Sequence, residues 1–155
     1  MSSYAKVECP SCTKGIAMCH QRPCWGTVSD LERIIEEGHA DKLMLDYYNH
    51  KDLNNREDVY FLSGANCGCE KQLAKLLPIG PCTFLSEDKC TIHDIKPTLG
   101  AVACCKDPHS LTTKVIFHCM ESWIRKEGAE LISRWKEMVG YDEENVNEMV
   151  NALFR

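Results

Sequence analysis

The chain has 155 residues, of which 44% are hydrophobic and 26% charged, and its formal net charge is -5. These proportions are ordinary for a globular protein and argue against disorder, and the length suits one domain spanning residues 1–155. The 18 basic residues are dispersed rather than gathered into a stripe, which argues against nucleic acid as a partner.

Cysteine is the residue type that stands out. No apolar run approaches the ~20 residues that cross a bilayer, and residues 1–9 lack the apolar segment of a signal peptide, so we expect a cytoplasmic protein without membrane contact. The chain contains 11 cysteines, and in a reducing compartment disulfides explain them poorly. Metal binding is the stronger interpretation. The alternative is that individual thiols pack as small hydrophobic side chains.

The first cysteine-rich stretch, residues 9–26, is predicted to be a loop by its proline and glycine content. Its candidate metal ligands are Cys9, Cys12, Cys19 and Cys24. Cys9 and Cys12 have the C-x2-C spacing that directs two thiolates to one ion. The same spacing also serves redox dithiols, but those normally open a helix after a strand, whereas this pair lies in a loop with Pro10 inside it.

Two helices are predicted after this loop. The first begins at a capping box, formed either by Ser29 and Glu32 or by Thr27 and Asp30, and ends near Gly38. The second is predicted over residues 40–49. Its buried face would be Leu43, Met44, Tyr47 and Tyr48.

The middle of the chain is irregular. We predict a short strand over residues 58–62, a short helix over 73–77, and two extended pieces, 83–85 and 91–92, around an acidic turn. The candidate metal ligands here are Cys82, Cys90, His93, Cys104 and Cys105. Consecutive cysteines diverge, so Cys104 and Cys105 are not expected to share one zinc ion. His93 is either a ligand or a surface histidine bonded to Asp94.

Cys67-Gly68-Cys69 is a weaker pattern, because C-x-C spacing is less specific for metal than C-x2-C. We therefore do not place these two cysteines among the candidate ligands.

The C-terminal third has the clearest periodicity. An apolar stripe repeats at helical spacing and stays in phase across Gly128, the candidate position for a bend. Its members are Val115, Ile116, Cys119, Met120, Trp123, Ile124, Leu131, Ile132, Trp135 and Met138. Cys119 and both tryptophans are interpreted as core, and a last helix is predicted from Asp142.

The predicted fold class is therefore mainly α. We expect a small metal-stapled domain whose cysteine-rich, loop-rich front half has minor short strands and packs on C-terminal helices.

These motifs together resemble the YkgJ-type cysteine-cluster family, described as zinc- or iron-chelating domains. The matching blocks are Cys9 and Cys12 followed by Cys19, Cys82-Thr83-Phe84-Leu85, Cys90-Thr91-Ile92-His93, and Lys96-Pro97 leading to Cys104-Cys105. The chain has Cys19-His20 where the family has a double cysteine, and Lys96-Pro97 where it has Arg-Pro. The resemblance implies metal chelation. Because some relatives carry this module in flagellin lysine methylases, it also makes an enzyme role conceivable.

Two metals suit this ligand set. Zinc sites usually draw four ligands from two close pairs, whereas iron–sulfur ligation accepts one close pair with distant single cysteines, which slightly favours an iron–sulfur cluster over Zn²⁺. We expect the metal to be structural or sensing. The alternatives are a metal-dependent redox or transferase enzyme, and an adaptor that binds a protein partner through an acidic C-terminal helix.

Overall fold

The computed structural model describes residues 19–21, 23–48, 59–74, 80–102 and 110–143. Its helices are α1 (Val28–Glu36), α2 (Thr98–Val102), α3 (Ser110–Ile124) and α4 (Lys126–Val139), with 3-10 turns at Ala40–Lys42 and His93–Ile95. Its strands are β1 (Leu43–Tyr48), β2 (Val59–Gly64), β3 (Leu85–Ser86) and β4 (Lys89–Cys90).

The prediction of a mainly α fold is wrong. In the described part of the chain, about 49% of the residues are helical and about 20% lie in strands. The front half is not only loop, because β1 and β2 form an antiparallel pair of six-residue strands, with Leu45 opposite Leu62. The fold therefore combines helices with a central strand pair.

The predicted helix over residues 40–49 is the main error. A 3-10 turn at Ala40–Lys42 leads directly into β1. Leu43 and Leu45 lie in the main core, whereas Met44 belongs to a second cluster with Ala65, Cys69 and Ala74. A strand buried on both faces has no polar–apolar alternation, so its sequence resembles a buried helix.

The capping box of α1 is formed by Thr27 and Asp30. The Thr27 hydroxyl accepts from the Asp30 N–H (3.3 Å), and the Asp30 carboxylate accepts from the Thr27 N–H (2.9 Å). This is the second of the two frames that the sequence offered. The helix ends at Glu36, and the chain turns through Gly38 with φ +89°, as predicted.

The predicted strand over residues 58–62 is confirmed as β2, Val59–Gly64. The acidic turn is also confirmed, since Glu87 and Asp88 have positive φ and join β3 to β4 as a tight hairpin. The paired residues are 85–86 and 89–90, so the predicted extended pieces were displaced by about two residues. Most of the predicted helix over 73–77 falls outside the described residues.

The C-terminal stripe is divided between α3 and α4. The break lies at Arg125, whose extended backbone (ψ 163°) precedes α4, rather than at Gly128. Gly128 instead allows close packing, because a Cβ there would lie 2.5 Å from the Trp123 carbonyl oxygen. Met138, a member of the predicted stripe, is 60% exposed and therefore does not belong to the buried face. The last helix predicted from Asp142 lies almost entirely outside the described residues.

Both C-terminal tryptophans are core residues, as predicted. Trp123 is 4% exposed and its indole N–H donates to the Gly26 carbonyl at 2.9 Å. Trp135 is fully buried and donates to the Ala40 carbonyl at 2.8 Å. The core thus joins α1, the β1–β2 pair, α3 and α4. None of the helices in the described ranges has the length and apolar character needed to cross a bilayer.

Candidate functional site

Backbone hydrogen bonds bring two distant cysteine-bearing segments together. The Cys82 N–H donates to the Cys19 carbonyl at 2.8 Å, and the Gly80 N–H donates to the Gln21 carbonyl at 2.8 Å. Residues 19–21 therefore run beside residues 80–82. One member of the N-terminal cysteine group, Cys19, meets one member of the central group, Cys82, in this way.

Cys24 is held by the extended segment that precedes α1. The Leu99 N–H of α2 donates to the Trp25 carbonyl at 3.0 Å, which places α2 against this segment. A Cβ at Gly100 would lie 2.8 Å from the Cys24 sulfur, so the thiol packs directly on the helix backbone. A larger residue at position 100 would force the Cys24 sulfur to move.

Cys90 reaches the same region through the β3–β4 hairpin. The hairpin follows Cys82 closely, since the Leu85 N–H donates to the Cys82 carbonyl at 3.0 Å. Cys90 lies opposite Leu85 in the hairpin. We call Cys19, Cys24, Cys82 and Cys90 the four-cysteine cluster.

The thiols of this cluster perturb one another. The Cys24 thiol hydrogen-bonds to the Cys19 sulfur, which lowers the pKa of Cys19 to about 6, with smaller contributions from the positive charges of Lys96 and His20. The same hydrogen bond and burial raise the pKa of Cys24 well above its usual value. The Cys19 and Cys24 side chains are therefore neighbours.

Burial is the main influence on the pKa values of the other two members, Cys82 and Cys90. It raises the pKa of Cys82 to about 12, and the neighbouring thiols of Cys19 and Cys90 add to the effect. Burial also raises the pKa of Cys90, again with a contribution from Cys19. Four thiolates at this place would be both desolvated and mutually repelling, and a bound cation would relieve both costs.

The donor set suits a thiophilic metal, but the ligands are not arranged around an ion. Across the part of the chain that the structure describes, no three or more His, Cys, Asp and Glu side chains form a group that could hold a metal ion. Four cysteine sulfurs are nevertheless the chemistry of structural zinc sites and of iron–sulfur ligation. Without a metal, the sulfurs do not need to adopt the spacing of a bound site.

The remaining predicted ligands are placed differently. His93 is exposed at the start of the second 3-10 turn, and the positive charges acting on the thiols come from Lys96 and His20 instead. Cys9, Cys12, Cys104 and Cys105 lie outside the described residues. Cys119 is fully buried in the main core, as predicted, and burial raises its pKa to about 12.

No known protein family, curated protein or solved structure matches this chain. The resemblance to the YkgJ-type family, and the chelating role that it implies, therefore stay predictions.

Two features of the site were not predicted from the sequence. The two cysteines of the C-x-C pattern lie in different environments. Cys69 is buried in the second cluster, whereas Cys67 is exposed and contributes to the raised pKa of Cys82. His20 bonds to Asp88 of the hairpin turn at 2.8 Å and so ties the first segment to the second. His20 was visible in the sequence as the neighbour of Cys19, but the identity of its partner was not.

Proposed function

We propose that this protein binds a thiophilic metal, as Zn²⁺ or an iron–sulfur cluster, through the four-cysteine cluster, and that the metal is structural or sensing. The observation that carries the proposal is the convergence of four thiols from two distant segments, each acting on the pKa of another.

The chemistry of the cluster explains what a metal would contribute. When bound, the metal neutralises thiolates that otherwise cost free energy through burial and repulsion. The fold itself positions the four cysteines. The backbone hydrogen bond between Cys82 and Cys19 aligns these two, Gly100 leaves room for Cys24, and the β3–β4 hairpin carries Cys90. Cys9, Cys12, Cys104 and Cys105 are proposed as further ligands of the same region.

Metal analysis of protein purified without oxygen tests the proposal. We expect zinc or iron to accompany the chain in stoichiometric amount, and a visible absorption band that bleaches on reduction would identify an iron–sulfur cluster. Protein that carries no metal and takes up none when zinc or iron and sulfide are supplied would contradict the proposal.

Substitutions locate the site. We expect Cys24→Ser and Cys82→Ser each to lower the bound metal, because each removes one thiolate from the ligand set. Cys119→Ser is the matched control, since Cys119 is a fully buried cysteine of α3 whose pKa is raised by burial and Asp30 rather than by the cluster thiols. It should lower stability while the metal content per folded chain stays at the wild-type value. Equal metal loss in all three variants would show that unfolding, not ligand removal, is the cause.

A dithiol–disulfide pair is the second candidate function. The Cys24 thiol has the largest influence on the pKa of Cys19, so the two side chains are near neighbours, and a disulfide needs such a pair. In that case a disulfide oxidant such as oxidised glutathione would take two electrons from the pair, and mass analysis would find a Cys19–Cys24 bond. Metal-loaded protein that resists this oxidation would favour the metal proposal.

A further inference from the structure

A groove lined mainly by apolar side chains lies between β2 and the junction of α3 with α4. It has a volume of about 230 Å³, and its lining includes Val59 and Tyr60 of β2, Ile124 at the end of α3, and Ala129 and Ile132 of α4. Ala129 is exposed, Ile124 and Ile132 are half-buried, and Tyr60 is 51% exposed. Among the described residues that line the groove, none belongs to the four-cysteine cluster. The groove is therefore separate from the proposed metal site.

The chain turns back beside α4 after the helix ends. Gly140, whose φ of +66° lies in the left-handed region, reverses the direction of the chain, and the Tyr141 N–H donates to the Lys136 carbonyl at 3.0 Å. The Tyr141 ring packs on Trp135 with the ring centroids 5.6 Å apart, and the Lys136 ammonium lies 5.1 Å from the centroid of the Tyr141 ring. Lys136 also hydrogen-bonds to the Glu143 carboxylate. This short stretch therefore runs beside the last turn of α4.

The side of α4 that this stretch contacts leads into the groove. Lys136, Ile132 and Ala129 are spaced by four and three residues, so they lie on one face of the helix in successive turns. Burial raises the pKa of Tyr141, and Tyr60 of β2 contributes, so the Tyr141 ring lies near the strand that forms the other wall of the groove. A segment that continued backwards along this face of α4 would enter the groove from the Ile132 end.

Residues 144–155, which follow this stretch, have the sequence pattern of an amphipathic helix. Glu144 and Glu148 fall on the polar side of the pattern. A helix over these residues would extend about 18 Å, and the face of α4 from Lys136 to Ala129 spans about 10 Å, at about 1.5 Å per residue. The apolar side has the spacing i, i+3, i+4, i+7 and i+8, and its members are Val146, Met149, Val150, Leu153 and Phe154.

We propose that residues 144–155 of this chain dock, apolar side inward, into the groove between β2 and the α3–α4 junction. The reversal at Gly140 gives the segment its direction, and the face of α4 that carries Lys136 and Ile132 guides it into the groove. Docking removes apolar surface from water on both the segment and the groove. It requires no metal and so goes beyond the proposed function. The acidic side of the segment, rather than its apolar side, then faces solvent and any protein partner.

Photo-crosslinking in the full-length chain tests the docking. Benzoylphenylalanine replaces Ala129, which lines the groove, and in a matched control it replaces Glu127, an exposed residue on another side of the same helix. After irradiation, the monomer is isolated and its cross-linked peptides are identified by mass analysis. We expect the probe at position 129 to join residues 146–154 severalfold more often than the probe at position 127. The same result is expected with and without bound metal, so it is independent of the proposed function.

Variants of the segment identify the side that docks. With the probe at position 129, we expect the double change Leu153→Ser and Phe154→Ser to lower the cross-link yield severalfold, because it removes apolar surface from the docking side. Asn151→Ser, on the polar side of the pattern, should leave the yield unchanged.

Four outcomes would overturn the proposal. Equal yields from the two probe positions, or an unchanged yield in the double variant, would show that the apolar side does not occupy the groove. Cross-links found only in a covalent dimer would assign the groove to a second copy of the chain. Cross-links to residues 49–58 would assign it to the connection between β1 and β2.

Discussion

Asp30 joins the starts of two helices through one carboxylate. It accepts from the Thr27 N–H at the start of α1, and from both the N–H (2.9 Å) and the hydroxyl of Thr98 at the start of α2. Gly26 lies against it, since a Cβ there would be 2.8 Å from the carboxylate oxygen. Because α2 packs on Cys24, this carboxylate positions one wall of the four-cysteine cluster.

We expect Asp30→Ala to lower the free energy of unfolding by about 2–4 kcal/mol, because two caps are lost and the buried Thr98 is left without its acceptor. Ser29→Ala is the control. Ser29 is exposed on the same helix and does not cap it, so the change is expected to stay within about 0.5 kcal/mol. Denaturant unfolding of both variants measures the difference. A large loss for Ser29→Ala would mean that the other capping frame operates in solution.

Asp46 is a buried carboxyl in the middle of β1. Burial raises its pKa to about 6, although hydrogen bonds from the Tyr47 N–H (2.8 Å) and from Trp25 partly oppose this. The folded state therefore favours the protonated form. The stability that this proton contributes is fully present below about pH 4 and is lost as the pH rises through about 6.

We expect Asp46→Asn to be more stable than the wild type above about pH 7, by up to about 3 kcal/mol, and to converge with it below about pH 4. Asparagine keeps a hydrogen-bond acceptor but stays neutral. Asp41→Asn, on the exposed turn before β1, should follow the wild-type pH profile. Unfolding curves recorded over this pH range provide the measurement, and a pH-independent difference for Asp46→Asn would contradict the assignment.

At the scale of elements, the junction between α3 and α4 depends on Gly128. Helix propensity alone predicts that Gly→Ala within a helix stabilises by up to about 1 kcal/mol. Here the new Cβ would lie 2.5 Å from the Trp123 carbonyl oxygen and 2.8 Å from its Cα. These are backbone atoms, which cannot move aside without separating the two helices.

We therefore expect Gly128→Ala to destabilise by about 1–3 kcal/mol, the opposite sign from propensity. Ser133→Ala, exposed on the same helix, should be neutral or slightly stabilising. Thermal unfolding of the two variants decides the sign. A more stable Gly128→Ala variant would show that α4 does not pack against Trp123 as described.

Elements whose signals are local could be predicted from the sequence. The cap and stop of α1, the acidic hairpin turn and the apolar faces of α3 and α4 all depend on residues within a few positions of one another. The pairing of β1 with β2 does not depend on neighbouring residues, because Leu43 and Leu45 acquire strand geometry from partners beyond a long connection. The cysteines were recognisable as candidate ligands, but which of them converge depended on the same non-local contacts.

At the scale of the whole molecule, the cluster lies beside the core rather than replacing it. The core runs from α1 through the strand pair to α3 and α4, with Cys82 at its edge as a buried member and Cys90 packed against it. Metal removal is therefore expected to loosen residues 19–25 and 80–96 while the strand pair and the long helices stay folded.

Hydrogen exchange with and without chelator measures this. We expect the amides of Gly80 and Cys82 to lose protection after chelation, because their acceptors belong to residues 19–21. Amides within the β1–β2 pair serve as the control and should exchange at unchanged rates. Global loss of protection would mean that the whole fold depends on the metal, and unchanged protection everywhere would mean that the cluster contributes nothing to local stability.

The Cys19–Cys82 backbone bond also joins parts of the chain that are synthesised at different times. At roughly 5–20 residues per second, Cys24 leaves the ribosome's catalytic centre about 3–13 seconds before Cys90 does. During that interval its thiol has no cluster to enter, and β1 has no C-terminal helices to cover it. The newly made front half thus exposes thiol and apolar strand together. The thiol waits for Cys90, and the strand waits longer, for α3 and α4.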